Sequence, residues 1–200
     1  MPAKPKTVRE QIAFSYSQLA CAHSAINRGA HKYATVDYMI RAKLRRGLID
    51  GSMRMRSIYD DERNKLLAPQ ACYYCGSKSN LCADHLIPRM RGGPDASDNL
   101  ISACRSCNSS KGGSDLLSWM DRKGWFPPLL LLRRYMKIVA RHCQKNEWLD
   151  LQLDCLDNGP DMPFDVRMLP ISFPPLRDLT LWVYPEQDEE ASSAAAERLK

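Results

Sequence analysis

Residues 72–113 read CYYCGSKSNLCADHLIPRMRGGPDASDNLISACRSCNSSKGG. Cys72-x-x-Cys75 and Cys104-x-x-Cys107 are two cysteine knuckles. Four soft thiolates in two such pairs close a tetrahedron around zinc, and closed sites of this kind hold small folds together. A plain zinc ribbon spaces its pairs by about 15–20 residues. Here 28 residues separate Cys75 from Cys104. The insert carries Asp84-His85, Gly92-Gly93 and Asn99, and Asn108 follows the last cysteine directly. These are the polar groups that a metal-assisted hydrolase needs.

Within this stretch, Leu81–Ile87 is short, apolar-rich and ended by Pro88, which predicts a strand. Residues 91–95 (RGGPD) read as a loop, and Leu100-Ile101 as a short second strand or turn. A helix is expected from Cys104 to about Lys111, ended by Gly112-Gly113.

Outward from it, apolar spacing predicts a helix over 7–28 with Val8, Ile12, Leu19, Ala22 and Ile26 on one face and Gly29 as its stop. A second helix is expected over 35–46, with Thr35 as N-cap and Gly47 as its end; Lys43, Arg45 and Arg46 crowd a last turn where the helix dipole favours cations. A third is expected over 52–67, with Met55, Ile58, Tyr59 and Leu66 inward and Pro69 closing it. Downstream, helices are expected from Ser114-Asp115 to Lys123 and from Leu129 to about Asn146, the latter opened by Pro127-Pro128. Residues 147–200 are proline-rich and acidic without a period, with one possible strand over Arg177–Tyr184 and a tail that reads as disordered. The division expected is a helical region over 1–69, acting as a DNA-binding or docking arm, a module with its following helices over 70–146, and an acidic irregular region over 147–200.

Charge follows the same division. Residues 1–113 hold 18 Lys/Arg against 9 Asp/Glu, residues 114–146 hold 7 against 2, and residues 147–200 hold 4 against 12. A basic body with an acidic end fits a nucleic-acid binder. Arg41, Lys43, Arg45, Arg46, Arg54 and Arg56, with Tyr33, form a dense basic cluster, read as a DNA contact with a solvated helical shell as the alternative. No run of about 18 apolar residues exists to span a membrane, and the opening MPAKPKTVRE is not a secretory signal. Cysteines in metal spacing point to a reducing, cytoplasmic setting. Cys21, Cys82, Cys143 and Cys155 are read as small buried apolar residues, His23, His31 and His142 as structural or surface groups, and Trp119, Trp125 and Phe126 as packing groups.

The pattern CYYCG…ADHLIPRMRGG…DNLISACRSCNSSKGG resembles the HNH endonuclease family in its zinc-stabilised form. The resemblance covers Cys72 to Gly113 and implies an α+β, ββα-metal (His-Me finger) module with a structural zinc held by four cysteines, flanked by α-helices. The family's name letters fall on His85, Asn99 and Asn108, the third being asparagine here rather than histidine. By resemblance, His85 is the general base, Asp84 and Asn108 ligate a catalytic Mg²⁺ or Mn²⁺, and Asn99 holds the loop around His85. Cys72, Cys75, Cys104 and Cys107 hold the zinc, and Arg89, Arg91 and Lys111 are candidates for phosphate contact. The implied activity is metal-dependent hydrolysis of phosphodiester bonds in DNA, expected to be double-stranded. A bacterial anti-phage or restriction setting, a partner ATPase or sensor, and a homodimer are further expectations by analogy. The competing reading is a non-catalytic zinc module that binds nucleic acid or a protein partner.

Overall fold

The computed structural model describes residues 4–68 and 70–183. The chain opens with α1 (Val8–Asn27), capped by Thr7, whose Oγ1 accepts the Glu10 N–H at 3.2 Å. Val8, Ile12, Leu19 and Ala22 are buried on one face, as their spacing requires, and Gly29, at φ +64°, turns the chain away.

Along it packs α2 (Thr35–Ile49), preceded by Ala34 as N-cap. Asp37 holds its first turn: the buried carboxylate accepts the Ala34 N–H at 2.8 Å and pairs with Arg28. The helix runs past Gly47, contrary to expectation. Gly47 is a packing position rather than a terminator, because a Cβ there would stand 2.3 Å from Met53 Cγ. The chain folds back at that point and Met53 N–H donates to Gly47 O at 2.8 Å.

Residues 52–58 are irregular, so α3 (Tyr59–Leu67) begins later than the apolar spacing suggests. Tyr59 and Leu66, expected inward, are 74% and 80% exposed. The inner face of α3 is charged. Asp61 is buried and accepts from Arg133 Nε at 2.7 Å and Lys137 Nζ at 2.5 Å, while Glu62 pairs with Arg134. A face that packs through ion pairs carries no hydrophobic period. Pro69, expected to close this helix, lies outside the described residues.

The sheet has two antiparallel strands, β1 (Leu81–His85) and β2 (Leu100–Cys104), in a register that pairs Leu81 with Cys104 and His85 with Leu100. Thus β1 stops before Leu86, and β2 is longer than its apolar pair indicates. Leu86 and Ile87 leave the strand to become buried core. A short α4 (Arg105–Lys111) follows, then α5 (Leu116–Arg122) and α6 (Leu129–Lys145). Asp115 caps α5 with its Oδ2 accepting the Leu117 N–H at 3.0 Å, and its other oxygen takes the buried Tyr135 hydroxyl of α6.

Helix α6 is the centre of the core. Leu131, Leu132, Tyr135, Met136, Ile138 and Val139 are buried against α1, the hairpin module and the C-terminal segment. Full burial of each such side chain contributes about 1.5–3 kcal/mol. Trp119 is buried edge-on to Tyr74 and Trp125, in keeping with a packing role. The segment 147–183 is irregular, with three 3-10 turns, yet it buries Phe164, Val166, Leu169, Leu176 and Leu179. Arg177–Tyr184 forms no strand over its described part. A 3-10 turn covers Leu176–Asp178, and the carbonyls of Thr180 and Leu181 accept the Leu129 and Leu130 N–H groups at 2.9 and 3.2 Å. That segment therefore satisfies free amides at the start of α6. Tyr184 and the acidic tail lie outside the described residues. Cys21 and Cys143 are buried, but Cys82 is half-buried and Cys155 is exposed on a surface turn beside Asp154, so the apolar reading fails for Cys155.

Replacing Asp61 by alanine strands Arg133 and Lys137 at a buried junction. Breaking a buried pair from one side loses about 3–5 kcal/mol. Urea unfolding of Asp61→Ala should show a loss of that size, with the midpoint shifted and the slope kept.

Candidate active site

Two clusters fix the ends of the hairpin. At one end, the Cys72–Cys75 knuckle is shaped by Cys72 N–H donating to Ser77 O (2.8 Å) and Gly76 N–H to Cys72 O (2.9 Å). Cys104 ends β2 and caps α4, its Sγ accepting the Cys107 N–H at 3.4 Å. The four Sγ atoms of Cys72, Cys75, Cys104 and Cys107 lie within 4.8 Å of one another. Zinc–sulfur bonds of about 2.3 Å give a tetrahedron with edges of about 3.8 Å, and Cys75 Sγ stands 3.8 Å from Cys104 Sγ. The donor set fits a structural metal such as zinc. Burial pushes the Cys72 and Cys107 thiols up, while at Cys104 burial is outweighed by hydrogen bonds from the neighbouring cysteines, which hold that thiol down. A cation bound by all four as thiolates would release their protons.

At the other end lies Asn99, fully buried in a 3-10 turn over Ser97–Asn99. Its Oδ1 accepts the Ile87 N–H, and its Nδ2 donates to Ile87 O and Pro94 O, each at 2.9 Å. Both arms of the loop after β1 are tied to one side chain. Gly93 lets this loop close, because a Cβ there would stand 1.9 Å from Ile87 O. The turn itself is held by α3 and α6. Arg134 Nε donates to Asp98 O at 2.8 Å and its Nη2 to Ser97 O at 3.0 Å; Lys65 Nζ donates to Ser97 O at 2.8 Å.

Between these clusters, Asp84 and His85 point to opposite faces of β1, as consecutive strand residues must. Asp84 faces inward and is 6% exposed. Its carboxylate accepts the Tyr74 hydroxyl at 2.7 Å and faces Lys111 Nζ at 3.2 Å. Burial, with Asp84 second, pushes the Tyr74 phenol well above its usual range. Lys111, a candidate for phosphate contact by its spacing, is instead 1% exposed and donates inward, to Asp84 and to His85 O at 2.6 Å. Burial pulls its ammonium down and Asp84 opposes that. Asn108, on α4, donates from Nδ2 to Ala83 O and Cys82 Sγ at 3.3 Å each. Its Oδ1 has no protein partner among the described residues. Asn108 thus packs from α4 on the backbone of β1 at Ala83, the residue next to Asp84 in sequence.

His85 faces outward with Nε2 at 2.9 Å from Asp95 Oδ1, and Arg89 Nη1 stands 3.6 Å from Asp95 Oδ2. The hydrogen bond from His85, helped by Arg89, holds the Asp95 carboxyl below its usual range. The contact therefore survives through the ordinary carboxylate range and is lost as pH falls through the lowered value. With Asp95 ionised, this contact needs the proton on Nε2, since a carboxylate only accepts. Nothing in the sequence singles out Asp95, because an aspartate in a Gly-Pro loop is common turn chemistry. Arg89 and Arg91 lie exposed on the adjoining 3-10 turn.

Residues 72–114 match the family model described as HNH endonuclease. Over 52 residues the chain is 40% identical to a CRISPR-associated endonuclease Cas9 of Corynebacterium diphtheriae, a stretch that is 24% of this chain and 5% of that relative. The chain therefore spans a small fraction of the relative's length. No solved structure matches. The matched segment holds both the cysteine cluster and the Asp84–His85 site. No helix among the described residues is long and apolar enough to cross a membrane.

The cysteine geometry predicts that Cys107→Ser lowers bound zinc from one atom per chain to near zero by elemental analysis and melts the 72–113 module. Retention of zinc at one per chain with an unchanged melting temperature would overturn the structural-metal reading.

Proposed function

We propose that the chain is a divalent-metal-dependent endonuclease that hydrolyses phosphodiester bonds of DNA. The observation that carries the reading is a hairpin with a four-cysteine cluster at one end that bears an inward carboxylate (Asp84), an outward imidazole held by a carboxylate (His85 with Asp95) and, packed on its backbone from α4, an amide with a free oxygen (Asn108). The match to HNH endonucleases supports it.

The residues present fit a hard cation. A carboxylate has about four lone-pair positions, of which Tyr74 and Lys111 take part, and Asn108 Oδ1 is free; such oxygens suit Mg²⁺ or Mn²⁺. Bound between Asp84 and Asn108, the ion would supply Lewis-acid polarisation of the phosphate and neutralise the leaving 3′-oxygen. The chain's own residues do the rest. His85 Nδ1 accepts a proton from the attacking water. Asp95 holds Nε2–H, so the ring presents the correct nitrogen and the developing imidazolium is stabilised. Asn99 fixes the loop that carries both partners, where small misplacements are costly in rate. Arg89 and Arg91 flank the site and are assigned to phosphate. Zinc in the cysteine cluster has a folding role only. Products with 5′-phosphate and 3′-hydroxyl follow. One module cuts one strand, so a double-strand break takes a second copy or a second event.

The name of the corynebacterial relative, a CRISPR-associated endonuclease, supports a bacterial defence setting. A partner ATPase or sensor would then supply the trigger.

Supercoiled plasmid with Mg²⁺ or Mn²⁺ tests the activity. Wild type should nick it, while His85→Ala should be inactive with zinc content and melting temperature kept. A zinc-loaded, folded wild type that cuts no DNA would leave the non-catalytic zinc module as the reading.

Asp95→Ala should lower kcat by roughly 10²-fold with KM nearly unchanged, since the base loses its orientation and not its substrate contacts. Asp95→Glu should recover part of that loss. Equal effects on kcat and KM would move Asp95 from positioning the base to binding substrate.

A further inference from the structure

Away from the candidate active site, a groove of about 550 Å³ lies between α1, the C-terminal half of α6 and the linker of residues 50–58. Five cations line it, namely Arg9, Arg54, Arg56, Lys137 and Arg141, and no carboxylate does. The linker explains the arrangement. Burial alternates along it: Met53 and Met55 are half-buried while Arg54 and Arg56 stand in solvent. It is also anchored: Met53 N–H is held by Gly47 O, and Lys137 Nζ donates to Ser57 O at 3.0 Å. The two arginines therefore project from a fixed edge. Beyond Met53 a second, shallower groove continues the surface along α2, bordered by Lys43 and Arg46.

The groove cations differ in charge balance. Arg9 pairs with Asp150, Lys137 with Asp61 and Arg141 with Asp98. Lys43, Arg54 and Arg56 have no carboxylate partner among the described residues, while the nearby Asp50, which takes the Ser52 hydroxyl and N–H, is held below its usual range by those bonds and by Arg46. Uncompensated like charges on a rigid edge repel one another until a polyanion arrives. The groove is also mechanically continuous with the site. Arg141, on its wall, pairs with Asp98, and the next residue, Asn99, clamps the loop around His85.

We propose that this basic groove, from Lys43 and Arg46 through Arg54 and Arg56 to Arg141, is the track for the sugar-phosphate backbone of the duplex flanking the cleavage point. The proposal rests on the nuclease reading and names where its substrate lies. Contacts of this type position a duplex without reading its bases, so the track accepts DNA of any sequence.

The test uses the full chain with Arg54→Gln and Arg56→Gln combined, beside a control with Arg63→Gln and Lys145→Gln, two exposed cations outside the groove. Binding to a duplex of about 30 base pairs is measured in a His85→Ala background across a salt series, and cleavage of the same duplex in the active background. Each lost phosphate contact removes about 0.9 from the slope of log affinity against log salt. The groove variant should therefore lose roughly 1.8 in slope, which is about 60-fold in affinity at 0.1 M salt if affinity at 1 M is unchanged. Its KM should rise by a similar factor, with kcat held and the melting temperature unchanged. If the groove variant behaves as the control does, the surface serves another partner and the proposal is overturned. A wild type that cuts plasmid while the groove variant binds normally removes the track alone. A folded wild type that binds through these arginines but cuts nothing removes the nuclease reading and leaves the surface.

Discussion

Two strands of five residues do not hold a hairpin in water, and the whole site depends on what staples this one. The thiolate cluster closes one end, joining the knuckle before β1 to the cap of α4. Asn99 closes the other, committing its side-chain oxygen and both N–H donors to the loop backbone. Asp84, His85 and Asn108 sit between the staples. Their separation is set by strand register and by one short helix, and neither has freedom once both ends are fixed.

The second staple is in turn held by charge from a distance. Arg134 and Lys65 reach the carbonyls of Ser97 and Asp98 from α6 and α3, and Arg141 pairs with the Asp98 side chain. Arg134 is itself buried and balanced by Glu62. Buried charges of this kind contribute little net stability compared with apolar packing. What they contribute here is direction, since a guanidinium with a fixed fork and two carbonyl partners has one geometry. The helical body therefore supports a turn that contains almost no apolar surface of its own.

The sequence makes the module legible and much of its support illegible, for definable reasons. Cysteine spacing, the Asp84–His85 dipeptide and the glycine pair are local signals, and the structure places them at one hairpin. The helices α1, α5 and α6 announce themselves through apolar period and caps. The α3 region misleads because its inner face is Asp61 and Glu62, so Tyr59 and Leu66 look like a core stripe and point to solvent. Gly47 misleads because a glycine needed for close approach and a glycine that ends a helix are the same letter. Arg177–Tyr184 carries strand-like residues, but its described carbonyls serve the first amides of α6, a long-range use that no local window contains. Asp95 hides in ordinary turn composition, and only the 2.9 Å contact with His85 gives it a role.

Lys111 is the clearest case of structure altering a residue's chemistry. One helical turn beyond Asn108, its spacing predicts that it faces substrate. Instead its ammonium fills the space behind Asp84 and ties the carbonyl of His85 to the same point. A carboxylate at 6% exposure without a cation would carry a large desolvation penalty, and Lys111 offsets that penalty in the protein without any bound ion. The consequence is a site formed in advance. Asp84 is paired and oriented by the protein's own groups, Lys111 and the Tyr74 hydroxyl. One buried lysine thus holds this carboxylate in place from behind, and the same ammonium fixes the backbone of His85 beside it.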